Sequence, residues 1–179
     1  MSKIKTQALS ALPDGHIMDI ISVTPVKDSP KEQVRQEIAR QMIFEYQIAP
    51  ESMATDFRVP VEGKSRKLDI AVFEAGKPHD LENLRRAVVC RPEPKAGKKA
   101  AVKIRDFKQA EQDLEELKGI MMGAEGCEWG LWTNSLERFF LRRDKRRFEF
   151  RFHPHRDWPI AHGTMTTPDM HAETYVRPG

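Results

Sequence analysis

One short run constrains this chain more than any other: Ala87-Val88-Val89-Cys90, continuous, apolar and bounded by Arg86 and Arg91. A strand buried on both faces reads this way, whereas a strand with one wet face alternates. Downstream, Ile104, Phe107, Ala110, Leu114, Leu117 and Met121 keep helical spacing, while Glu111, Gln112, Glu115 and Glu116 occupy other faces and Gly123 is a fitting stop. Trp129-Gly130-Leu131-Trp132-Thr133 then reads as another strand. A helix between two strands is the crossover that parallel pairing requires. The expectation is an α/β domain with a mixed central sheet flanked by helices, its parallel element formed by residues 87–90 and 129–133.

The flanks of that unit fill out the sheet. Asp28 or Ser29 can cap a helix over residues 30–47, with Pro30 in its first turn and Glu32 at its positive end. Val34, Ile38 and Met42 make its apolar stripe, widened by Ala39, Ile43 and Tyr46. Phe57, Val59 and Val61 share one parity and Leu68, Ile70 and Val72 another, with Glu62-Gly63-Lys64 between them, which predicts a β-hairpin. Residues 75–86 carry Gly76, Pro78 and clustered charge and form a connector. Residues 138–142 and 147–152 look like two more strands, linked through Asn134-Ser135 and Asp144-Lys145. Residues 1–29 read as an N-terminal extension with a strand within 16–23, and residues 30–159 as the domain. From His153 onward prolines replace periodicity, and residues 160–179 read as an extended tail or linker.

A length of 179 residues suits one domain. With 39% hydrophobic and 32% charged residues, the composition excludes a membrane-embedded, collagen-like or disulfide-stapled chain. Cys90 and Cys127 sit in apolar company without metal-type spacing, as core hydrophobes of a reducing compartment do. No signal-like run is present, and no stretch approaches the roughly 20 apolar residues of a spanning helix. The expected location is the cytoplasm, with no membrane partner. His153, His155, His162 and His171 do not match a zinc spacing and read as incidental.

Asp69 stands inside an apolar strand, Leu68-Asp69-Ile70-Ala71-Val72, where a carboxylate is costly unless paired, hydrogen-bonded or bound to metal. Beyond the next buried strand come Glu93-Pro94-Lys95, acid and base on alternate positions and so on one side of an extended chain. If the two strands are neighbours, Asp69, Glu93 and Lys95 converge. Two carboxylates could then hold Mg²⁺, which lowers the pKa of bound water, while the ammonium orients or helps deprotonate the nucleophile.

This pattern resembles the PD-(D/E)xK nucleases, and more narrowly the N-terminal domain of type I restriction enzyme R subunits, a domain also found beside N6-adenine DNA methylases. The resemblance rests on Asp69 followed by Glu93-x-Lys95, on Val34-Arg35-Gln36-Glu37, on Arg66-Lys67-Leu68-Asp69-Ile70-Ala71-Val72 and on Trp129-Gly130-Leu131-Trp132-Thr133-Asn134-Ser135. It implies a restriction-endonuclease-like fold, cleavage of double-stranded DNA, and a Mg²⁺ or Mn²⁺ cofactor. Methylase, specificity or motor subunits of a restriction system are the implied partners. It further implies that Asp69 and Glu93 are metal ligands, Lys95 the catalytic lysine, Glu37 an extra acid and Gln112 the helical glutamine of the site. Two features depart from the pattern: Pro92 and Pro94 flank Glu93, so the motif lies where a strand ends or bulges, and the separation from Asp69 is long for a simple hairpin.

Each residue also has a plainer reading. Asp69 could pair with Arg66 or Lys67, Glu93 and Lys95 could be a charged turn, and Glu37 a solvated helix acid. Trp129 and Trp132 face opposite sides of a strand, which favours core packing over base stacking. The net charge is only +3, but cations crowd residues 95–105, including Lys98, Lys99 and Lys103, and again Arg142, Arg143, Arg146 and Arg147. Such clusters either solubilise a turn or track phosphates. Without cleavage, the alternative is a DNA-binding or assembly module serving an N6-adenine methyltransferase. The chain itself has neither a glycine-rich cofactor loop after a strand nor an Asn-Pro-Pro-aromatic motif.

Overall fold

The computed structural model describes residues 12–94, 107–146 and 149–159. Six strands form the central sheet: β3 (Met53–Thr55), β6 (Ile70–Phe73), β7 (Leu84–Cys90), β8 (Trp129–Thr133), β9 (Arg138–Arg146) and β10 (Glu149–His155), in the order β10-β9-β8-β7-β6-β3. β7 and β8 run parallel, from Arg86 opposite Trp129 to Cys90 opposite Thr133, and the other neighbours are antiparallel. Two small ribbons stand apart, β1 (His16–Met18) with β2 (Pro25–Lys27) and β4 (Arg58–Val61) with β5 (Lys64–Lys67).

The two helices cover opposite faces of the sheet. α1 (Pro30–Phe44) begins where Ser29 Oγ accepts the Glu32 amide at 3.2 Å, with Pro30 in the first turn. Its stripe of Val34, Ile38, Ala39 and Met42 packs with Ile70, Val72, Val88, Cys90, Trp129, Leu131 and Phe140. α2 (Phe107–Gly123) buries Ala110, Leu114, Leu117, Ile120 and Met121 against Ala71, Ala87, Val89, Trp132 and Leu141 on the other face. Because alternate strand residues go to opposite layers, Trp129 and Trp132 serve different cores, as their spacing predicts. Cys90 and Cys127 are buried thiols, and burial pushes the Cys127 thiol up to about 12.

Several elements differ from expectation, each for a physical reason. The hairpin predicted between residues 57–61 and 68–72 is instead β4 with β5, closed by Glu62 (φ 47°) and Gly63 (φ 74°). Two consecutive left-handed residues make the tight turn whose twist suits a hairpin. The apolar run after Asp69 is β6, which belongs to the central sheet between β3 and β7. β7 starts inside the supposed connector because Leu84 and Arg86 are buried, and α1 stops at Phe44 ahead of the left-handed Gln47 (φ 56°). β10 runs through Pro154 to His155, edge pairing that tolerates a proline. Trp158, 1% exposed, then locks the segment down with its Nε1–H on the Gly130 carbonyl. Residues 160–179 lie outside the described residues.

The segment before Pro30 is tied to the domain by a buried carboxylate. Asp19 accepts from Ser22 Oγ at 2.6 Å and Gln36 Nε2 at 2.9 Å, with Arg35 Nη1 at 3.5 Å. Burial alone would raise its pKa, but the Ser22, Ile21 and Gln36 hydrogen bonds and the Arg35 charge together hold it below the ordinary value. A depressed carboxylate contributes stability above its unfolded pKa and loses it as pH falls through the folded one. Asp19→Asn should therefore cost about 1–3 kcal/mol at pH 7 and flatten the loss of stability below about pH 4, both read by urea denaturation. α2 meets β4 so closely that a Cβ on Gly123 would lie 2.0 Å from the Pro60 carbonyl oxygen. Gly123→Ala should destabilise by about 2 kcal/mol or more, while Gly119→Ala, facing only the Val61 side chain at 3.0 Å, should cost less.

Candidate functional site

β6 is antiparallel to β7, so the start of β6 lies beside the carboxyl end of β7. That puts Asp69 where the sequence pattern anticipates a carboxylate. It is 5% exposed and paired with neither Arg66 nor Lys67: Lys67 meets Asp56 at 2.9 Å, and Arg66 borders a groove under the β4–β5 ribbon. Asp69 Oδ2 accepts the Cys90 amide at 2.8 Å, and Oδ1 meets the Lys31 ammonium at 2.6 Å. The backbone of β7 thus sets the carboxylate's orientation, and α1 supplies a cation to its other oxygen. Lys31 is itself 42% exposed, so the pair reaches the surface through the ammonium.

On the adjoining flank of α1 lies a cleft of about 550 Å³, lined by Pro30, Gln33, Val34 and Glu37 of the helix, Glu93 and Pro94 after β7, and Ser135 after β8. Glu93 follows the end of β7 by three positions, as its flanking prolines require, and its side chain is exposed. Glu37 accepts from Ser135 Oγ at 3.1 Å and pairs with Arg138 Nη2 at 2.9 Å, so it is a held carboxylate at the cleft wall. Ser135 is aimed by a built turn: φ is 76°, its amide donates to Thr133 Oγ1, and Asn134 and Glu137 bond reciprocally beneath it. A non-glycine residue held left-handed in such a network is strained backbone maintained by its surroundings.

Glu93 and Glu37 thus line one cleft beside α1, whereas Asp69, at the start of β6, is not among the residues lining it. Among the described residues no three acidic, histidine or cysteine side chains form a metal-holding cluster. Mg²⁺ needs less, since it keeps several waters and takes one or two carboxylates. Asp69 Oδ1, already facing a cation, has the chemistry to serve as one of them. Lys95, Lys98, Lys99, Lys103 and Arg147 lie outside the described residues. Gln112 is within α2 and Arg146 within β9.

In the basic cluster at β9, the two side chains described, Arg142 and Arg143, are both engaged. Arg143 is 8% exposed, donates to the Met121 and Glu125 carbonyls and lies over Phe150, so it closes the end of α2 and does not face a ligand. Arg142 pairs with Glu128 at 2.9 Å over the Trp129 ring. Residues absent from the sequence reading of the site are Lys31, Ser135 and Arg138. Lys31 sits one turn before Arg35, a spacing that shares a helix flank, but nothing in the sequence names Asp69 as its partner.

The family described as the type I restriction enzyme R protein N terminus matches residues 30–155, from the start of α1 to the end of β10. No curated protein and no solved structure matches the chain.

Lys31→Met should destabilise the fold by about 1–3 kcal/mol in urea at pH 7, because Asp69 is left buried with one hydrogen bond. Adding Asp69→Asn should recover part of that loss by removing the unpaired charge. Glu37→Gln, in a half-exposed pair, should change stability by no more than about 0.5 kcal/mol. Equal losses from Lys31→Met and Glu37→Gln would refute this ranking.

Proposed function

Because the chain belongs to the family of type I restriction enzyme R protein N termini, we propose that it is a DNA endonuclease domain of a type I restriction or related defence system, acting with Mg²⁺ or Mn²⁺. The observation that carries this reading is Asp69: a buried carboxylate at the carboxyl end of the parallel pair, oriented by a backbone amide and with its second oxygen facing a cation. Sites of open α/β sheets collect at that end.

In this reading Asp69 and Glu93 would hold the ion, which would supply Lewis acidity and make water at the site more acidic. The Cys90 amide keeps Asp69 from rotating, so one oxygen stays presented. Lys95 stabilises charge developing on the phosphate, and Lys31 adds a second positive group beside Asp69. Glu37, fixed by Ser135 and Arg138, presents its carboxylate along the cleft that Glu93 borders. The substrate is double-stranded DNA, and the working partners are methylase, specificity or motor subunits. No described helix is long and apolar enough to cross a membrane.

A second reading is a module that binds DNA without cutting it and serves an N6-adenine methyltransferase. The position of Glu93 beyond the end of β7, between prolines, favours it. Cleavage separates the two. Purified protein should nick or cut plasmid DNA with Mg²⁺ or Mn²⁺, and Asp69→Ala and Lys95→Ala should each abolish cutting with the circular dichroism spectrum unchanged. Activity surviving in both variants would overturn the nuclease assignment, and duplex binding without cleavage by the wild type would establish the second reading.

A further inference from the structure

Most cations of the described domain are already committed. Arg35 pairs with Glu32 and Asp19, Arg85 with Glu74, Arg91 with Glu116, Lys118 with Glu111 and Glu115, Arg138 with Glu37 and Arg142 with Glu128. The β4–β5 ribbon is different. Within residues 58–67 it carries Arg58, Lys64, Arg66 and Lys67 against the single acid Glu62, and every residue of β5 is exposed. Lys67 has Asp56 as a partner, whereas Arg58 has only the Ser65 hydroxyl at 3.4 Å. Arg58, Lys64 and Arg66 have no ion-pair partner among the described residues, although Arg66 shares a groove with Glu115 and Glu116.

The arrangement works against folding. Register pairs Arg58 directly with Lys67 across the strands, and like charges in that relation destabilise a ribbon. A merely solubilising surface would interleave acids. The ribbon is nonetheless held rigidly: Val59 is fully buried, Gly119 and Gly123 let α2 press against β4, and the Leu68 amide bonds the Phe57 carbonyl at 2.8 Å. Its last residue, Lys67, precedes Asp69 by two positions, about 7 Å of extended chain. A rigid, unneutralised basic ribbon rooted beside the candidate carboxylate matches one kind of partner, a regular polyanion.

We propose that the β4–β5 ribbon is the surface on which this domain docks the sugar–phosphate backbone of duplex DNA, with Arg58, Lys64 and Arg66 as the contacting cations. The inference rests on the DNA-directed reading above and assigns the contact to a surface distinct from the Arg142–Arg143 region. A two-stranded ribbon also has the dimensions to enter a major groove.

The test is fluorescence anisotropy on a labelled duplex of about 20 base pairs in EDTA, where no cleavage intervenes, a length that spans about two helical turns. Arg58→Gln/Lys64→Gln/Arg66→Gln should weaken binding by about 10-fold or more at low salt and reduce the slope of log K against log salt by about 2–3, near 0.9 per lost phosphate contact. The control Arg40→Gln/Lys77→Gln should bind like wild type. Unchanged affinity in the triple variant, an equal loss in the control, aggregation of the triple variant with affinity retained, or a preference of the wild type for single-stranded RNA would overturn the proposal. Failure of the two readings is separable. A triple variant that binds and cuts like wild type removes the ribbon and leaves the nuclease, whereas a ribbon-dependent binder that never cuts with Mg²⁺ does the reverse. A wild type that binds no duplex removes both.

Discussion

Two strands that run parallel side by side need a long crossover between them, and β7 and β8 obtain theirs from the segment that contains α2. The consequences spread through the whole domain. Both strands are covered on both faces, by α1 on one side and α2 on the other, so residues 87–90 of β7 and 129–132 of β8 are apolar. Both also end at the same edge of the sheet, which is why the chain leaving β7 brings Glu93 and the chain leaving β8 brings Ser135 to one cleft. β6, antiparallel to β7, begins where β7 ends, and its first approach delivers Asp69 to the Cys90 amide. Asp69, Glu93 and Ser135 come from three separate stretches of the chain.

Charge in this molecule divides into groups that hold the fold and groups left to act. Asp19, Arg35 and Gln36 fasten the N-terminal ribbon to α1, and Arg143 finishes α2. Arg86 is buried between layers, stacked on Trp158 and donating to the Pro159 carbonyl, and burial lowers its pKa to about 10. Clusters that look alike on paper have different fates, because a cation reaches an acid or a carbonyl only if the fold brings one within reach.

Much of the architecture was legible because it is periodic. The apolar run ending at Cys90, the amphipathic stripes of both helices and the short segment Trp129–Thr133 reported strands and helices in the right order, including the parallel pair. Boundaries were less legible. Arg86 reads as connector in one dimension, yet stacking on Trp158 makes it an interior strand residue. Lys64-Ser65-Arg66-Lys67 has no apolar residue to mark it as a strand, and only its register with β4 makes it one. The apolar side chains that should have paired with Val59 and Val61 were instead required by the central sheet.

What the sequence determined alone is therefore the layered α/β plan and the costliness of Asp69, since a carboxylate among Leu68, Ile70 and Val72 must be answered by something. What answered it, Lys31 and the Cys90 amide, was decided by tertiary structure. So was the contrast between Arg143, spent on α2, and Arg58, facing water. Periodicity is a property of neighbours in the chain and survives in the sequence. The partner of a charge is set by which strands and helices meet, and that is information carried only by the packed fold.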